Sequence, residues 1–136
     1  MAKRPVNLNR KTVDLIEKSG FLCDVVERSN RAISQDYLGF IDVIAVGPYG
    51  KFLGLQVTSH SNRSSRKNKI LECVQRSQDL VKWLEYGCQF EIWGWRTGKK
   101  HGCKTFSVMR ARSDKDEGLV IEVVEKSLWF QGDDDV

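Results

Sequence analysis

One acidic residue of this chain lies in an unusual position for an acid. Asp42 interrupts the otherwise apolar run from Phe40 to Val46, which is typical of a buried strand. An ionised carboxylate that is buried without a partner costs several kcal/mol, so Asp42 needs a cation, a hydrogen-bond donor or a position at the end of the sheet. A divalent metal would satisfy it, because carboxylate oxygens are hard ligands that suit Mg²⁺ or Mn²⁺.

The segment after this run predicts which side chains share a face with Asp42. Gly47–Lys51 has the residues of a three-residue hairpin loop with a bulge at its second glycine. If the two ends of this segment pair, Asp42 lies directly opposite Gln56. Thr58 follows two residues later and therefore lies on the same face. The Asp42 carboxylate, the Gln56 amide oxygen and the Val57 carbonyl then form a set of hard oxygen ligands.

A basic segment follows the hairpin and opens the longest predicted helix. Ser64 or Ser65 is the expected N-cap. Cations at a helix start oppose the helix dipole, whereas free N–H groups and cations together bind phosphate, so the segment favours an anionic ligand. Such contacts position a nucleic-acid backbone without reading its bases. The candidate contacts are His60, Asn62, Arg63, Arg66, Lys67 and Lys69.

Each of these features also has a purely structural interpretation. Asp42 can be an acid that caps a turn, and the basic segment can be a solvated helix start. His60 is either a general base beside the metal or an exposed loop residue. The loop from Arg96 to Lys104 is a second phosphate contact or a soluble hairpin tip. Trp93 and Trp95 share a strand face on which bases can stack, but we expect them in the core, as is usual for large aromatic residues near a sheet.

The apolar pattern predicts the elements that must position these residues. Thr12 is the expected N-cap of a first helix that ends at Gly20, and the long helix runs to Gly87 with an apolar face from Ile70 to Leu84. Strands are expected at residues 21–27, 40–46, 52–57, 89–95, 105–109 and 119–124. This order predicts an α/β or α+β fold with a central mixed β-sheet flanked by helices. We expect one domain over residues 1–136, with a basic arm at 1–11 and an acidic tail at 131–136.

Charge and cysteine usage narrow the class of protein. The net charge is only +4, yet the first 69 residues hold 12 Lys and Arg against 6 Asp and Glu, which concentrates the basic character in the first half of the chain and suits DNA as a partner. The four cysteines lack the close pairs typical of a zinc site. The N-terminus has no apolar run long enough for a signal peptide or a membrane span. We therefore expect an intracellular, cytoplasmic protein without a membrane partner.

The hairpin and the helix after it resemble a known family. The segments Gly39–Asp42 and Leu55–Ser59, the basic residues up to Lys69 and the Trp93-Gly-Trp95 motif are similar to the core of the PD-(D/E)xK nuclease superfamily, including its Holliday-junction-resolvase-like branch. They are also similar to a group of small bacterial and phage proteins usually assigned to that superfamily. The resemblance covers about residues 12–96 and implies a restriction-endonuclease-like core.

The resemblance also implies roles for three residues. By position, Asp42 is the first ligand of Mg²⁺ and Gln56 is the second. Thr58 stands where the family has a lysine that helps to activate water or to stabilise phosphate charge. The motif is therefore a divergent D…QxT, because Gln56 and Thr58 are both neutral where the family carries charge.

These neutral residues require compensation from elsewhere in the chain. We expect Glu27 or Asp36 to restore negative charge to the metal site, with Asp36 as a further ligand, and Arg66 or Lys69 to approach the scissile phosphate. The expected function is a Mg²⁺- or Mn²⁺-dependent DNA endonuclease for branched or damaged DNA, and a homodimer would cut two strands symmetrically. The alternatives are a catalytically inactive DNA-binding module that retains the nuclease fold and a small protein-interaction domain.

Overall fold

The apolar segments form helices and strands in nearly the predicted order. The computed structural model of the chain describes residues 7–26, 28–29, 34–47, 50–96 and 105–127. The helices of these residues are Leu8–Lys18 (α1), Arg63–Leu71 (α2) and Val74–Glu85 (α3). The strands are Leu22–Val25 (β1), Arg28–Ser29 (β2), Ser34–Gln35 (β3), Val43–Val46 (β4), Phe52–Ser59 (β5), Gln89–Trp95 (β6), Phe106–Asp114 (β7) and Gly118–Val124 (β8).

Most of the strands belong to one mixed sheet with the order β1-β4-β5-β6-β7-β8. Neighbouring strands in it are antiparallel except β5 and β6, which are parallel because α2 and α3 form the crossover between them. The carboxyl ends of β5 and β6 therefore lie at the same edge of the sheet. Strands β2 and β3 form a separate pair.

The hairpin of β4 and β5 has the predicted register. Val43 lies opposite Leu55, and the Gly47 N–H donates to the Lys51 carbonyl at 2.9 Å. Strand β4 begins three residues later than predicted, because the Asp42 N–H also donates to the Leu55 carbonyl, at 2.8 Å. Two consecutive residues thus face one partner, which is the pattern of a β-bulge. Asp42 therefore lies at the bulge where regular pairing begins, and the prediction that it lies directly opposite Gln56 is wrong, because its backbone bonds to Leu55 instead.

Helices cover both faces of the sheet, and each face has its own core. On the α1 face, buried residues include Ile16, Leu53, Leu55, Val57, Trp93 and Trp95. On the α2–α3 face, they include Phe40, Ile41, Ile70, Leu80, Phe90 and Ile92. Because side chains alternate along a strand, Gln56 and Thr58 face α2 and α3. The arrangement confirms the predicted central mixed sheet flanked by helices, and the burial of both tryptophans confirms their position in the core.

The first helix begins earlier than predicted. It starts at Leu8, after Asn7, whose Oδ1 accepts a hydrogen bond from the Arg10 N–H at 3.0 Å. The prediction of Thr12 as N-cap is therefore wrong, because Asn7 already caps this helix. Thr12 is buried inside the helix, donates to the Leu8 carbonyl and accepts from Trp95 Nε1. The last four residues of the predicted basic arm are helical.

The predicted long helix is in fact two helices. The first ends at Leu71 and the second begins at Val74, because Cys73 adopts an extended backbone with ψ of 114°. Ser77 Oγ donates to the Ile70 carbonyl at 2.8 Å and so satisfies one of the carbonyls that the break leaves without a helical partner.

The start of α2 also differs from the prediction. A 3₁₀ turn at His60–Asn62 precedes the helix, so the N-cap residue is Asn62 and not Ser64 or Ser65. The turn starts the helical backbone earlier and leaves both serines inside the first helical turn. Among the described residues, no side chain caps this helix start.

Candidate metal and nucleic-acid site

The predicted polar face lies at the sheet edge where the parallel strands end. Gln56 and Thr58 belong to the last part of β5, and Asp42 lies at the bulge before β4. Each of the three exposes only 4% of its surface, so none is an ordinary surface group. Ligands of sheets with parallel strands commonly bind beyond the carboxyl ends of those strands, and α2 begins at this edge.

The Asp42 carboxylate is bound by two N–H groups of the neighbouring strand. Its Oδ2 accepts from Gln56 Nε2 at 2.7 Å and from the Val57 N–H at 2.8 Å. Because the regular strand begins only after Asp42, the carboxylate takes the place of the main-chain carbonyl that a longer strand would offer to Val57. The backbone of β5 therefore orients this carboxylate.

A second carboxylate contacts the same amide. Gln56 Nε2 also donates to Asp36 Oδ2 at 3.3 Å. Asp36 lies close because the chain reverses between Tyr37 and Ile41, which exchange backbone hydrogen bonds of 2.8 and 2.9 Å. Leu38 in this reversal has a φ of +57°, which is uncommon for a residue other than glycine. The structure thus brings two predicted acids together at Gln56.

The donor set of this site suits a hard divalent cation. The Gln56 amide N–H group lies between two carboxylates, where one cation would also interact with both. A turn of the amide by about 180° exchanges its nitrogen and its oxygen, so that Gln56 Oε1 joins the carboxylate oxygens. Within the described residues, no three His, Cys, Asp or Glu side chains cluster, so a neutral oxygen is needed to complete the set. Glu27, the other predicted acid, lies outside the described residues.

Two further predicted residues, Thr58 and His60, follow Gln56 along the chain. Thr58 pairs with Gly94 of β6 in the parallel register and adds a hydroxyl rather than a charge. His60 forms a hydrogen bond of 2.6 Å between its Nδ1 and Ser107 Oγ, and Ser107 also donates to the Gly94 carbonyl. The His60 ring is thereby tied to β7, and its role as a general base stays a prediction.

The predicted phosphate contacts of α2 differ in exposure. Asn62 and Lys69 are exposed, whereas Arg66 and Lys67 are half-buried. Arg66, Lys67 and Lys69 lie on α2, which starts at the edge of the polar face, and Asn62 is the N-cap residue of that helix. Their contact with nucleic acid stays a prediction.

Arg63 differs from these four because it packs against the sheet. Its side chain lies over Gly94, where an added Cβ atom would be only 2.4 Å from Arg63 Cγ. Arg63 Nε donates to the His60 carbonyl at 3.3 Å, whereas Nη1 is enclosed and has no hydrogen-bond partner among the described residues. Burial, and then the nearby charge of Arg96, lower the pKa of Arg63 from its ordinary value.

Sequence reasoning missed two contributors to this region, Arg76 and Gly94. An added Cβ atom at Gly39 would lie 2.8 Å from Arg76 Nε, so this α3 side chain lies against the loop that carries Asp36. The glycines at positions 39 and 94 could have indicated these contacts in the sequence, because an isolated glycine in a strand often marks a close approach by another part of the protein. Gly94 lies between two buried tryptophans and is such a residue.

Comparisons with protein-family models, with curated proteins and with solved structures find no match to this chain. Within the part of the chain that the structure describes, no helix is long and apolar enough to span a membrane.

Proposed function

We propose that this protein is a Mg²⁺- or Mn²⁺-dependent DNA endonuclease that hydrolyses phosphodiester bonds. The observation that carries the proposal is the meeting of two carboxylates, Asp36 and Asp42, at the Gln56 amide. This donor set lies at the edge where a helix rich in Arg and Lys begins, so ligands for a cation adjoin a surface for phosphates. The resemblance to the PD-(D/E)xK core supports the same assignment, because it gives the positions of Asp42 and Gln56 to the metal.

The residues that would hold the cation are Asp42, Asp36, Gln56 through its Oε1 and Val57 through its carbonyl. Bound there, Mg²⁺ supplies Lewis-acid stabilisation of a phosphate oxygen and lowers the pKa of water. The Val57 N–H orients Asp42 for this role. Since Gln56 is neutral, we expect weaker cation binding than a set of three carboxylates would give.

The basic residues of α2, together with its N-cap residue, suggest the class of substrate. Asn62, Arg66, Lys67 and Lys69 suit contacts to backbone phosphates, which carry no base sequence. We therefore expect DNA structure rather than sequence to guide cleavage, with branched or damaged duplexes preferred to intact ones. Cutting both strands would need two sites, which a homodimer would supply.

A cleavage assay tests the proposal. Purified protein is incubated with supercoiled, nicked and branched DNA in Mg²⁺, in Mn²⁺ and in EDTA. We expect cleavage that requires the metal and that falls at least about 100-fold in Asp42→Asn. Asp24→Asn, which removes an exposed carboxylate from the edge strand β1, is the matched control and should cleave like the wild type. A wild type that does not cleave, or an Asp42→Asn variant that cleaves equally well, contradicts the proposal.

Calorimetric titration with Mn²⁺ examines the cation site in the same preparations. The wild type should bind Mn²⁺, Asp42→Ala should lose this binding, and Gln56→Glu should bind more tightly because it adds a third carboxylate. Equal heats of Mn²⁺ binding from all three proteins would contradict a metal site at Asp42 and Gln56.

One observation favours a second function. Gln56 Nε2 already donates to both carboxylates, and Thr58 contributes no charge, as expected of a catalytically inactive DNA-binding module that retains the nuclease fold. Such a module binds DNA in a salt-sensitive manner. Its affinity for DNA would be the same with Mn²⁺, with EDTA and in Asp42→Asn, whereas the endonuclease should show metal-dependent cleavage.

A further inference from the structure

The position of Arg63 relative to the polar face can be derived from the strand register. Gly94 lies beside Thr58 on the neighbouring parallel strand, at a spacing of about 4.8 Å. Gln56 precedes Thr58 by two residues on the same face, a distance of about 7 Å along the strand. Because the Arg63 side chain lies over Gly94, its stem is on the order of 8 Å from the Gln56 backbone.

Three features make this position unfavourable for a cation by itself. Nη1 of Arg63 is enclosed without a hydrogen-bond acceptor among the described residues, which is costly for a charged donor. Burial of the Arg63 guanidinium disfavours its charged form, and the like charge of Arg96 disfavours it further. Gly94 nevertheless leaves the space in which the Arg63 stem packs. An anion at the exposed side of the guanidinium would neutralise its charge, and would so offset both the cost of burying that charge and the repulsion between the two arginines.

We propose that Arg63 binds the reacting phosphate group of the nucleic acid, on the face formed by Thr58 and Gly94. This inference rests on the proposed function for the identity of its ligand. Arg63 as a whole is only half-buried, so a phosphate reaches the guanidinium from its exposed side. The planar guanidinium offers two parallel N–H groups to phosphate oxygens. Arg63, rather than Arg66 or Lys69, is then the cation nearest to the scissile bond.

The test compares Arg63→Met with Lys82→Met. The first variant removes the charge but keeps an unbranched stem over Gly94, and the second removes an exposed charge near the end of α3. Single-turnover cleavage of nicked DNA is measured at saturating protein. We expect Arg63→Met to lower the rate about 10- to 100-fold, as the loss of a charge-assisted hydrogen bond predicts. Lys82→Met should cleave at the wild-type rate.

Two further measurements separate this role from a structural one. The thermal midpoint of Arg63→Met should equal or exceed that of the wild type, because the variant removes an enclosed N–H group and the repulsion with Arg96. Adding Thr58→Lys to Arg63→Met returns a cation to the same face. The double variant should cleave at least about tenfold faster than Arg63→Met. An Arg63→Met protein that is folded and cleaves at the wild-type rate overturns the inference, even if the proposed function holds.

DNA affinity tests the inference even if the wild type does not cleave. Fluorescence anisotropy with labelled nicked DNA in EDTA should show weaker binding by Arg63→Met than by Lys82→Met. The slope of log affinity against log salt concentration should also be shallower in Arg63→Met, by the amount expected for about one phosphate contact. Equal affinities and equal salt dependence of the two variants would overturn the role of Arg63, whereas a failure of cleavage alone would overturn only the endonuclease proposal.

Discussion

Two buried carboxylates, Glu91 and Asp42, lie on opposite faces of the sheet and are stabilised in different ways. Glu91 on the α1 face exposes no surface. Its Oε2 accepts from Arg110 Nε at 3.0 Å, and its Oε1 accepts from Trp93 Nε1 and Ser127 Oγ. The chain thus supplies a cation and two neutral donors to this acid, and the network connects β6, β7 and the segment after β8.

Asp42 on the α2–α3 face accepts hydrogen bonds from a side-chain amide and a backbone amide. Gln56 and Val57 donate to its Oδ2, and the same Gln56 nitrogen also contacts Asp36. The Gln56 donor thus contacts a second carboxylate, that of Asp36, whereas Glu91 contacts the positively charged Arg110. Burial alone therefore does not identify a functional acid. The meeting of two acids at Gln56 is the arrangement that the proposed cation would stabilise.

The largest effect on stability is expected from Glu91→Gln. The substitution leaves Arg110 without its ionic partner, and Arg110 also donates to the Lys126 carbonyl. We expect the free energy of unfolding to fall by about 2 to 3 kcal/mol, at the low end for a broken buried pair because Arg110 is 25% exposed. Urea denaturation measures this loss. A change well under 1 kcal/mol would mean that the ion pair on the α1 face contributes little.

A smaller effect on stability is expected from Asp42→Asn. The Asn Oδ1 atom can accept the hydrogen bonds of both Gln56 and Val57, so the free energy of unfolding should fall by no more than about 1 kcal/mol. The same urea experiment checks this value beside Glu91→Gln. If Asp42→Asn costs as much as Glu91→Gln, Asp42 is a structural acid and the contrast between the two faces disappears.

The hairpin register could be predicted from the sequence because it depends on local residues. The turn segment Gly47–Lys51 determines which residues pair, and this pairing brings Asp42 close to Gln56. The burial of Trp93 and Trp95 followed from residue type and alternation in the same way. The mixed sheet followed from the order of strands and helices along the chain.

Contacts that depend on tertiary packing could not be predicted in this way. The approach of Asp36 depends on a loop in which Leu38 adopts an uncommon backbone conformation. The packing of Arg63 over Gly94 joins residues that are far apart in the chain. The division between α2 and α3 occurs at Cys73, where the backbone is extended and Ser77 Oγ binds the Ile70 carbonyl. The apolar periodicity of the sequence continues across this break, and so it predicted a single helix.

The smallest effect on stability is expected from Asp114, a partly exposed acid that extends the comparison to the surface. Its Oδ1 accepts from the N–H groups of Asp116 and Glu117, and Arg112 lies 3.1 Å from its Oδ2. These contacts, the backbone hydrogen bonds first, lower the pKa of Asp114 from its ordinary value of 3.8. Its stabilising contribution is therefore present above that value and is lost as the pH falls through the lower pKa of the folded state.

The measurement for Asp114 is the difference in urea midpoint between the wild type and Asp114→Asn. The wild type should be slightly more stable at about pH 6, and the difference should shrink as the pH falls to about 2.5. Cleavage should be unchanged, because Asp114 lies at the β7–β8 turn, away from the polar face. A difference that persists at low pH would show that the Asp114 charge is not its source. If Asp114→Asn lowers the free energy of unfolding as much as Glu91→Gln does, the contributions of the three carboxylates to stability do not follow their burial.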